Sequence, residues 1–96
     1  MLLSEVALGK QYIRVGAEYE ADKSCRKANA DSTWGQGKTA PRASEETTLP
    51  GEPLVKVPLG HGTKSDALGD RASSLLYNEF IVYDTSQVRL TPSDAF

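Results

Sequence analysis

The hydrophobic positions of the chain concentrate in two segments, residues 2–15 and residues 75–83. In the first segment, apolar and strand-forming residues run to position 8, are interrupted at Gly9, and resume at positions 12–15. This pattern predicts two β-strands with a bend or bulge at Gly9, because glycine inside a strand pattern marks a turn of the backbone. Both faces of the first strand are mainly apolar, which favours a central position in a sheet.

The strongest strand pattern is the nine-residue run Leu-Leu-Tyr-Asn-Glu-Phe-Ile-Val-Tyr at positions 75–83. Aliphatic, aromatic and β-branched side chains dominate it, and only Asn78 and Glu79 interrupt the apolar character of its two faces. Its length and composition predict a buried strand rather than a helix. A further strand is predicted to begin at residues 87–90 and to end before Pro92, because proline cannot donate to a sheet ladder.

The middle of the chain, residues 16–53, follows neither the helical nor the strand period for long. Ala, Ser, Thr, Asn, Asp, Gly and Pro dominate it, so the sequence predicts a long loop there. A loop of that length is uncommon in a compact domain unless it is functional or belongs to something larger. A short strand at residues 54–57 and a second loop at residues 60–74 are predicted to follow.

Composition and charge exclude several classes of function. The 96 residues fit one small domain, and 11 basic against 13 acidic residues give a formal net charge of −2. This balance does not favour binding to nucleic acid or to an anionic membrane, which would need clustered Lys and Arg. No run approaches the roughly 18 apolar residues of a membrane-spanning helix. The single cysteine, Cys25, excludes an internal disulfide and favours an intracellular compartment, and we expect its thiol to be exposed and unreactive.

Two glutamates stand within apolar strand patterns. A carboxylate in such a position is costly to bury unless it is paired, protonated or directed into a cleft. Glu79 is therefore a candidate functional residue, and the alternative is a glutamate on an edge strand that points to water. Glu5 shows the same ambiguity, and a structural ion pair or a sheet-edge position is the preferred interpretation there.

The sequence Gly-Gln-Gly-Lys-Thr at residues 35–39 invites comparison with a phosphate-binding loop. That motif requires a glycine five positions before the Gly-Lys glycine, and Ser32 stands there instead. Neither an apolar strand before the segment nor a helical pattern after it supports nucleotide-triphosphate binding. A surface hairpin with flexible glycines is the default expectation, and a loop that binds an acceptor molecule is the functional alternative.

Four segments, taken in chain order, resemble the catalytic domain of the poly(ADP-ribose) polymerases. They are Leu-Leu-Ser-Glu-Val-Ala-Leu-Gly at residues 2–9, Gly-Gln-Gly-Lys-Thr-Ala-Pro at residues 35–41, Val-Pro-Leu-Gly at residues 57–60, and the apolar run with its following aspartate at residues 75–84. The second is similar to the Gly-x-Gly-Lys-x-x-Pro segment near the family's acceptor site, and the fourth to the strand with the family's catalytic glutamate. Each segment alone is a weak signal, but the ordered set spans residues 2–90 and is specific.

The resemblance implies an α+β fold, mainly antiparallel β, that forms part of the ADP-ribosyltransferase architecture. Residues 1–90 are then the C-terminal part of the catalytic domain, lacking its N-terminal strands and final strand, and residues 91–96 are a tail outside the family pattern. The family also uses a His-Gly pair and a stacking Tyr, on segments before the first strand, which have no counterpart here. His61 follows the acceptor loop and is expected to be an exposed loop residue, so the residues that contact the cofactor stay unassigned.

For function, the resemblance implies an NAD-dependent ADP-ribosyltransferase, a pentosyltransferase that moves ADP-ribose from NAD to a protein side chain or a growing polymer. Glu79 would accept a hydrogen bond from the 2′-hydroxyl of the nicotinamide ribose and stabilise the oxocarbenium-like centre. Gly35, Gly37 and Lys38 would belong to the acceptor loop, with Lys38 either solvated or in contact with a phosphate of the acceptor polymer. NAD is the implied substrate, and no metal is implied.

Protein acceptors or ADP-ribose polymer are the implied partners, and the nucleus is the implied location; neither nucleic acid nor membrane is expected to bind this chain directly. We expect a truncated transferase that is inactive alone and needs a complementary half. The alternative is a non-catalytic interaction module that keeps the sheet and the acceptor loop. Phe80 stands where the family usually carries Tyr, and residues 16–34 depart from the family pattern, so the acceptor is not implied.

Overall fold

The computed structural model of the protein describes residues 3–91, and all elements in that range are short. In chain order they are β1 (Leu3–Val6), β2 (Gln11–Arg14), α1 (Ala21–Lys27), β3 (Ser32–Gly35), β4 (Thr39–Pro41), β5 (Thr47–Leu49), β6 (Glu52–Val57), β7 (Gly62–Lys64), β8 (Glu79–Val82) and β9 (Val88–Thr91). Single turns of 3-10 helix precede β5 and β9, at Ala43–Glu45 and Thr85–Gln87. The tail expected at residues 91–96 falls, from position 92 on, outside the described residues.

Within residues 3–91 the strands form four small sheets. Three are antiparallel pairs, β1 with β9, β4 with β7, and β5 with β6. The fourth has three strands in the order β2-β3-β8, with β2 and β3 parallel and β3 and β8 antiparallel. Helix α1 lies between the two parallel strands in sequence, because parallel neighbours need a crossover connection. The described part of the chain is therefore mostly antiparallel β with one helix, which agrees with the expected fold class at that level.

Four strands, β1, β2, β6 and β9, lie where the sequence pattern predicts them. Gly9 forms the expected bend between the first two, with a φ of 55° that favours glycine. The predicted central position of β1 is wrong for the described residues, because β1 has one sheet partner there and its residues alternate between half-buried and exposed. Glu5 on β1 forms an ion pair with Arg89 on β9, as the structural interpretation of that glutamate expected.

The prediction of one long loop over residues 16–53 is also wrong, because that range contains α1, β3, β4, β5 and the start of β6. The first four of these elements have only three to seven residues each, too few for a repeating pattern to emerge. Helix α1 has Asp22 in its first turn and Arg26 and Lys27 in its last, charges that complement the helix dipole. No helix within residues 3–91 is long and apolar enough to cross a membrane.

The apolar run at residues 75–83 forms a strand only over its second half, where β8 spans Glu79–Val82. The first half is bound to a different part of the chain, since the carbonyl oxygens of Leu75 and Leu76 accept the backbone N–H groups of Lys38 and Thr39 at 3.0 and 2.9 Å. Strand β8 lies at the edge of its sheet, and three of its four residues are exposed. The predicted buried strand is therefore wrong in both length and burial.

The buried centre of the described chain is mainly polar. Its buried apolar residues are Cys25, Leu49 and Leu68, and its buried polar ones are Ser32, Thr33, Gln36, Ser65 and Ser73. The expectation of an exposed thiol is wrong, because Cys25 is only 1% exposed and its sulfur lies 3.4 and 3.5 Å from the carbonyl oxygens of Ala30 and Ser32. The helix side that carries Cys25 packs on β3, which places this part of the centre behind the three-stranded sheet.

Candidate active site

Glu79 is the first residue of β8 and lies opposite Gly35 in the antiparallel ladder with β3. Its side chain is exposed, and the ion pairs of the described residues all involve other carboxylates. This is the geometry of the edge-strand alternative, in which the carboxylate is in contact with water. Its cross-strand neighbour nevertheless belongs to the Gly-Gln-Gly-Lys segment, which is the proximity that the functional interpretation requires.

The Gly-Gln-Gly-Lys segment is mostly buried, with residues 35–37 inside and Lys38 exposed. The expectation of a surface hairpin is therefore wrong. A Cβ on Gly37 would lie 2.5 Å from the Cα of Tyr77 and 2.6 Å from the backbone nitrogen of Asn78, so two backbones touch where glycine leaves room. The Gly37 N–H also donates a hydrogen bond to Asn78 Oδ1 at 3.0 Å. The glycine segment thus holds the residues that come directly before the candidate glutamate.

Gly35 also leaves room for a close neighbour, two residues before Gly37. A Cβ on Gly35 would lie 2.8 Å from Leu75 Cδ1 and 3.5 Å from the Cβ of Glu79. The side chain of Leu75 therefore occupies the space that a side chain on residue 35 would need. Three of the residues that the sequence singled out, Gly35, Gly37 and Glu79, lie in one continuous patch.

Lys38 has the exposure that the sequence predicts. Its backbone N–H and carbonyl are used in the chain packing, with donation to Leu75 and acceptance from Ser65 at 2.9 Å. Its ammonium group makes no ion pair within residues 3–91, where Lys23, His61 and three arginines carry the ion pairs. The positive charge is therefore available to a ligand.

A hydrogen-bond cluster on Gln36, Arg71 and Ser73 is part of the same patch, and no pattern in the sequence indicates it. The hydroxyl of Ser73 donates to the backbone oxygen of Gln36 at 2.6 Å, and it accepts the N–H of Leu75 at 3.0 Å. The guanidinium of Arg71 donates to the side-chain oxygen of Gln36. The two contacts with Gln36 join residues that are 37 and 35 positions apart, so no local pattern could reveal them.

His61 is an exposed loop residue, as expected, with 88% of its side chain exposed. Its backbone N–H and its ring Nδ1 contact Glu45 Oε2 at 2.9 and 3.2 Å. These hydrogen bonds, the backbone one first, lower the pKa of the Glu45 carboxyl group from its usual range. The contacts of His61 are thus with the 3-10 turn before β5.

A cluster of hydrogen-bonding and basic groups surrounds the carboxylate of Glu18. Its carboxylate accepts hydrogen bonds from Ser24 Oγ at 2.5 Å and Tyr12 OH at 3.2 Å, and it pairs with Arg14 Nε at 3.1 Å. The Ser24 hydrogen bond is the largest influence that lowers the pKa of Glu18, followed by Tyr12 and the charge of Arg14. Every partner is supplied by the protein, so this cluster joins β2 to α1 and is not a substrate site.

A cavity of about 590 Å³ opens elsewhere on the molecule. Its lining includes Cys25, Arg26, Asp31, Tyr83, Asp84 and Gln87. Several of its polar groups are already bonded within the protein, since Gln87 Nε2 donates to two backbone oxygens and the Asp84 carboxylate accepts from Ser86. Those Ser86 hydrogen bonds, first the backbone one, lower the pKa of Asp84. Glu79 is not part of this lining.

Within residues 3–91, no group of three His, Cys, Asp or Glu side chains is arranged to hold a metal ion. The chemically available groups of the patch are the Glu79 carboxylate and the Lys38 ammonium. One is an acceptor with negative charge, and the other is a donor with positive charge.

The chain belongs to the poly(ADP-ribose) polymerase catalytic domain family, whose sequence model matches residues 1–91. Among individual relatives, it is 47% identical over 90 residues to poly [ADP-ribose] polymerase 1 of Arabidopsis thaliana and 44% identical over 90 residues to that of Gallus gallus. It is 41% identical to poly [ADP-ribose] polymerase 2 of Arabidopsis thaliana, again over 90 residues. Each match covers 94% of this chain, and the chain spans 8% of the length of the two polymerase 1 relatives and 13% of that of polymerase 2. The predicted resemblance of the chain to this family is confirmed.

Proposed function

We propose that this chain supplies the glutamate-bearing part of an NAD-dependent ADP-ribosyltransferase, with Glu79 as the catalytic residue. The observation that carries the proposal is the position of the Glu79 carboxylate, which is exposed and unpaired among residues 3–91 while its backbone is held against the Gly-Gln-Gly-Lys segment. A fixed backbone with a free carboxylate suits a group that acts on a substrate. Family membership supplies the reaction class.

In this proposal the reaction breaks the bond between the nicotinamide nitrogen and C1 of its ribose. Nicotinamide leaves with the bonding electron pair, and positive charge develops on the sugar. The carboxylate of Glu79 accepts a hydrogen bond from the ribose 2′-hydroxyl and stabilises that charge, an electrostatic contribution of the kind that dominates many enzymes. The acceptor oxygen then bonds to C1 and loses its proton, and the same carboxylate can polarise an attacking ribose hydroxyl during elongation.

The acceptor is proposed to approach from the side of Lys38. The exposed ammonium group is suited to a phosphate of an ADP-ribose polymer or to acidic groups of a protein acceptor. Gly35 and Gly37 contribute by close backbone packing and not by contact with the acceptor, because residues 35–37 are buried. NAD is the proposed donor substrate, and the nucleus is the proposed location on grounds of family membership.

The second candidate function is a non-catalytic interaction module, and one observation favours it. Apolar side chains next to Glu79 are unusually exposed, with Tyr77 at 67% and Phe80 at 49%. Large exposed apolar residues mark surfaces that bind other chains. The same exposure is expected of a catalytic patch that is covered by the family's NAD-contacting segments. Both functions therefore require another segment or chain to cover this surface, and only the transferase turns over NAD.

The test is a chimera in which residues 1–91 of this chain replace the matched segment of the Gallus gallus relative. The rest of that relative supplies the family's His-Gly pair and Tyr, for which the 96 residues show no counterpart. We expect the chimera to release nicotinamide from NAD and to incorporate labelled ADP-ribose, and the 96-residue chain alone to do neither. A folded chimera that releases no more nicotinamide than its Glu79→Gln version contradicts the transferase proposal and favours the interaction module.

A further inference from the structure

We propose that Gln36 and Arg71 are positioning residues, which fix the backbone that carries Glu79 by tying the loop at residues 65–73 to the Gly-Gln-Gly-Lys segment. Because this role presupposes the transferase proposed above, its test includes a readout that does not depend on turnover. Neither side chain is required to touch substrate.

Gln36 is an anchor with three bonded groups. It is 2% exposed, its backbone N–H donates to the oxygen of Arg14 at 2.8 Å, and its backbone oxygen accepts from the hydroxyl of Ser73 at 2.6 Å. Its side-chain oxygen accepts from Arg71. A buried amide oxygen is costly to leave without a donor, so Arg71 and Gln36 hold each other in place.

Arg71 acts as a brace and not as half of an ion pair. Besides Gln36, its guanidinium donates to the backbone oxygens of Ala67 at 2.9 Å and Leu68 at 3.2 Å. All three acceptors are neutral oxygens, and the ion pairs of the described residues involve other arginines. The planar guanidinium therefore joins the turn at residues 67–71 to Gln36 in one fixed geometry.

The brace reaches Glu79 through a short stretch of chain. After Arg71, the hydroxyl of Ser73 bonds to Gln36, and the carbonyl oxygen of Leu75 accepts the N–H of Lys38 at 3.0 Å. Residues 73–76 are thus held alongside residues 36–39, and Glu79 follows three residues later. A shift of the turn at residues 67–71 moves the glutamate backbone relative to Gly35, and displacements near 1 Å are enough to lower a rate by about 10²-fold.

The experiment compares Gln36→Met, which keeps the length of the side chain and removes the acceptor, with Gln36→Glu, which keeps an acceptor for Arg71. In the 96-residue chain, hydrogen exchange of the Lys38 and Thr39 amides is measured by NMR, with amides of the β5-β6 hairpin as the internal reference. We expect Gln36→Met to speed exchange at Lys38 and Thr39 at least about tenfold while the hairpin is unchanged, and Gln36→Glu to restore slow exchange.

In the chimera, we expect Gln36→Met to lower kcat about 10-fold or more with KM for NAD within about twofold, and Gln36→Glu to recover most of it. Equal exchange in the wild-type chain and Gln36→Met, or a uniform increase that includes the hairpin, overturns the positioning role. If Gln36→Met does not fold, the same measurements are made on Arg71→Gln, with Arg71→Lys as the conservative variant. Arg71 is exposed, so its replacement is tolerated more easily. A chimera without turnover contradicts the proposed transferase. The hydrogen-exchange result still tests whether Gln36 and Arg71 hold the backbone in place.

Discussion

Gly35 and Glu79 face each other directly in the antiparallel ladder of β3 and β8. Opposite side chains in such a ladder normally touch, and here one of the two is missing. Leu75 Cδ1 fills the space instead, 2.8 Å from where a Cβ on residue 35 would lie. The glutamate therefore has a backbone held in the ladder with β3 and a carboxylate without a partner in residues 3–91.

Replacement of Glu79 by Gln is expected to remove transfer without affecting the fold. In the chimera we expect kcat/KM to fall by about 10²-fold or more, because a negative charge that stabilises the transition state is lost. The free energy of unfolding of the 96-residue chain should change by less than about 0.5 kcal/mol, since the carboxylate is exposed. Glu79→Asp should also lose most transfer, because the carboxylate is withdrawn by more than about 1 Å. Glu46→Gln, at another exposed glutamate, is the control, and equal rates for Glu79→Gln and Glu46→Gln would remove Glu79 from the mechanism.

Gly37→Ala is expected to destabilise the protein. The new methyl group would meet the backbone of Tyr77 and Asn78, which cannot rotate away. Overpacking of this kind costs about 1–3 kcal/mol, and we expect the upper part of that range in urea denaturation. Gly62→Ala is the matched control, because its nearest obstacle is a single methyl group, Thr39 Cγ2 at 3.0 Å. Similar losses for the two variants would show that the contact at residue 37 is not as close as described.

The thiol of Cys25 is expected to react slowly in the native protein. It is almost fully buried, and its sulfur contacts two backbone oxygens. Reaction with a chromogenic disulfide reagent then requires local opening, so the native rate should be at least about tenfold below that in 6 M guanidinium chloride. A native rate equal to the denatured rate would restore the exposed thiol that the sequence indicates.

The free energy of unfolding is expected to decrease when the pH is lowered below about 4.5, and Glu18 is one cause. Its pKa is lowered from 4.5 in the folded state, with Ser24 as the leading cause, so the carboxylate contributes stability above the unfolded pKa and loses it as pH falls through the folded one. Ser24→Ala should therefore destabilise the protein at pH 7 and differ less from wild type at pH 3, as measured by urea denaturation. The control is Ser44→Ala, at an exposed position. A Ser24→Ala effect that is the same at both pH values would assign it to packing instead.

Phe80 stacks on Trp34 with ring centroids 5.8 Å apart and an interplanar angle of 20°. Because Phe80 is half-exposed, a hydroxyl group has room, and Phe80→Tyr should change the free energy of unfolding by less than about 0.5 kcal/mol. Phe80→Ala should lose about 0.5–1.5 kcal/mol of aromatic pairing plus some buried area, and it should alter the fluorescence of Trp34. A destabilising Phe80→Tyr would indicate that the ring edge is enclosed.

The strands that could be predicted are those with an uninterrupted local pattern. β1, β2, β6 and β9 each contain alternating or β-branched residues with a glycine or proline close by, and the structure has them at those positions. Elements such as α1 and β3 could not be predicted, because they are too short to show a repeating pattern, and β3 is in addition held by distant parts of the chain. Thr33 on β3, for example, has its hydroxyl 2.7 Å from that of Tyr83, fifty residues later.

Gly35, Gly37, Lys38 and Glu79 could be singled out from the sequence, but their arrangement could not. The two glycines at positions 35 and 37 indicate a close approach of some backbone, and only the structure shows that it is the backbone beside Glu79. The burial of residues 75–83 was predicted wrongly because hydrophobic composition does not tell whether a second layer covers a strand. Gln36 and Arg71 gave no signal, since a polar residue between glycines is equally typical of a solvated loop.

A centre rich in hydroxyl and amide groups has a thermodynamic consequence for the whole domain. Heat capacity of unfolding rises with the apolar area that becomes hydrated and falls with the polar area, and typical domains gain about 12–15 cal/mol/K per residue. With Ser32, Thr33, Gln36, Ser65 and Ser73 among its buried residues, this chain should gain less. A plot of its free energy of unfolding against temperature is then only weakly curved. The enthalpy of unfolding changes little when the protein is warmed or cooled by a few tens of degrees.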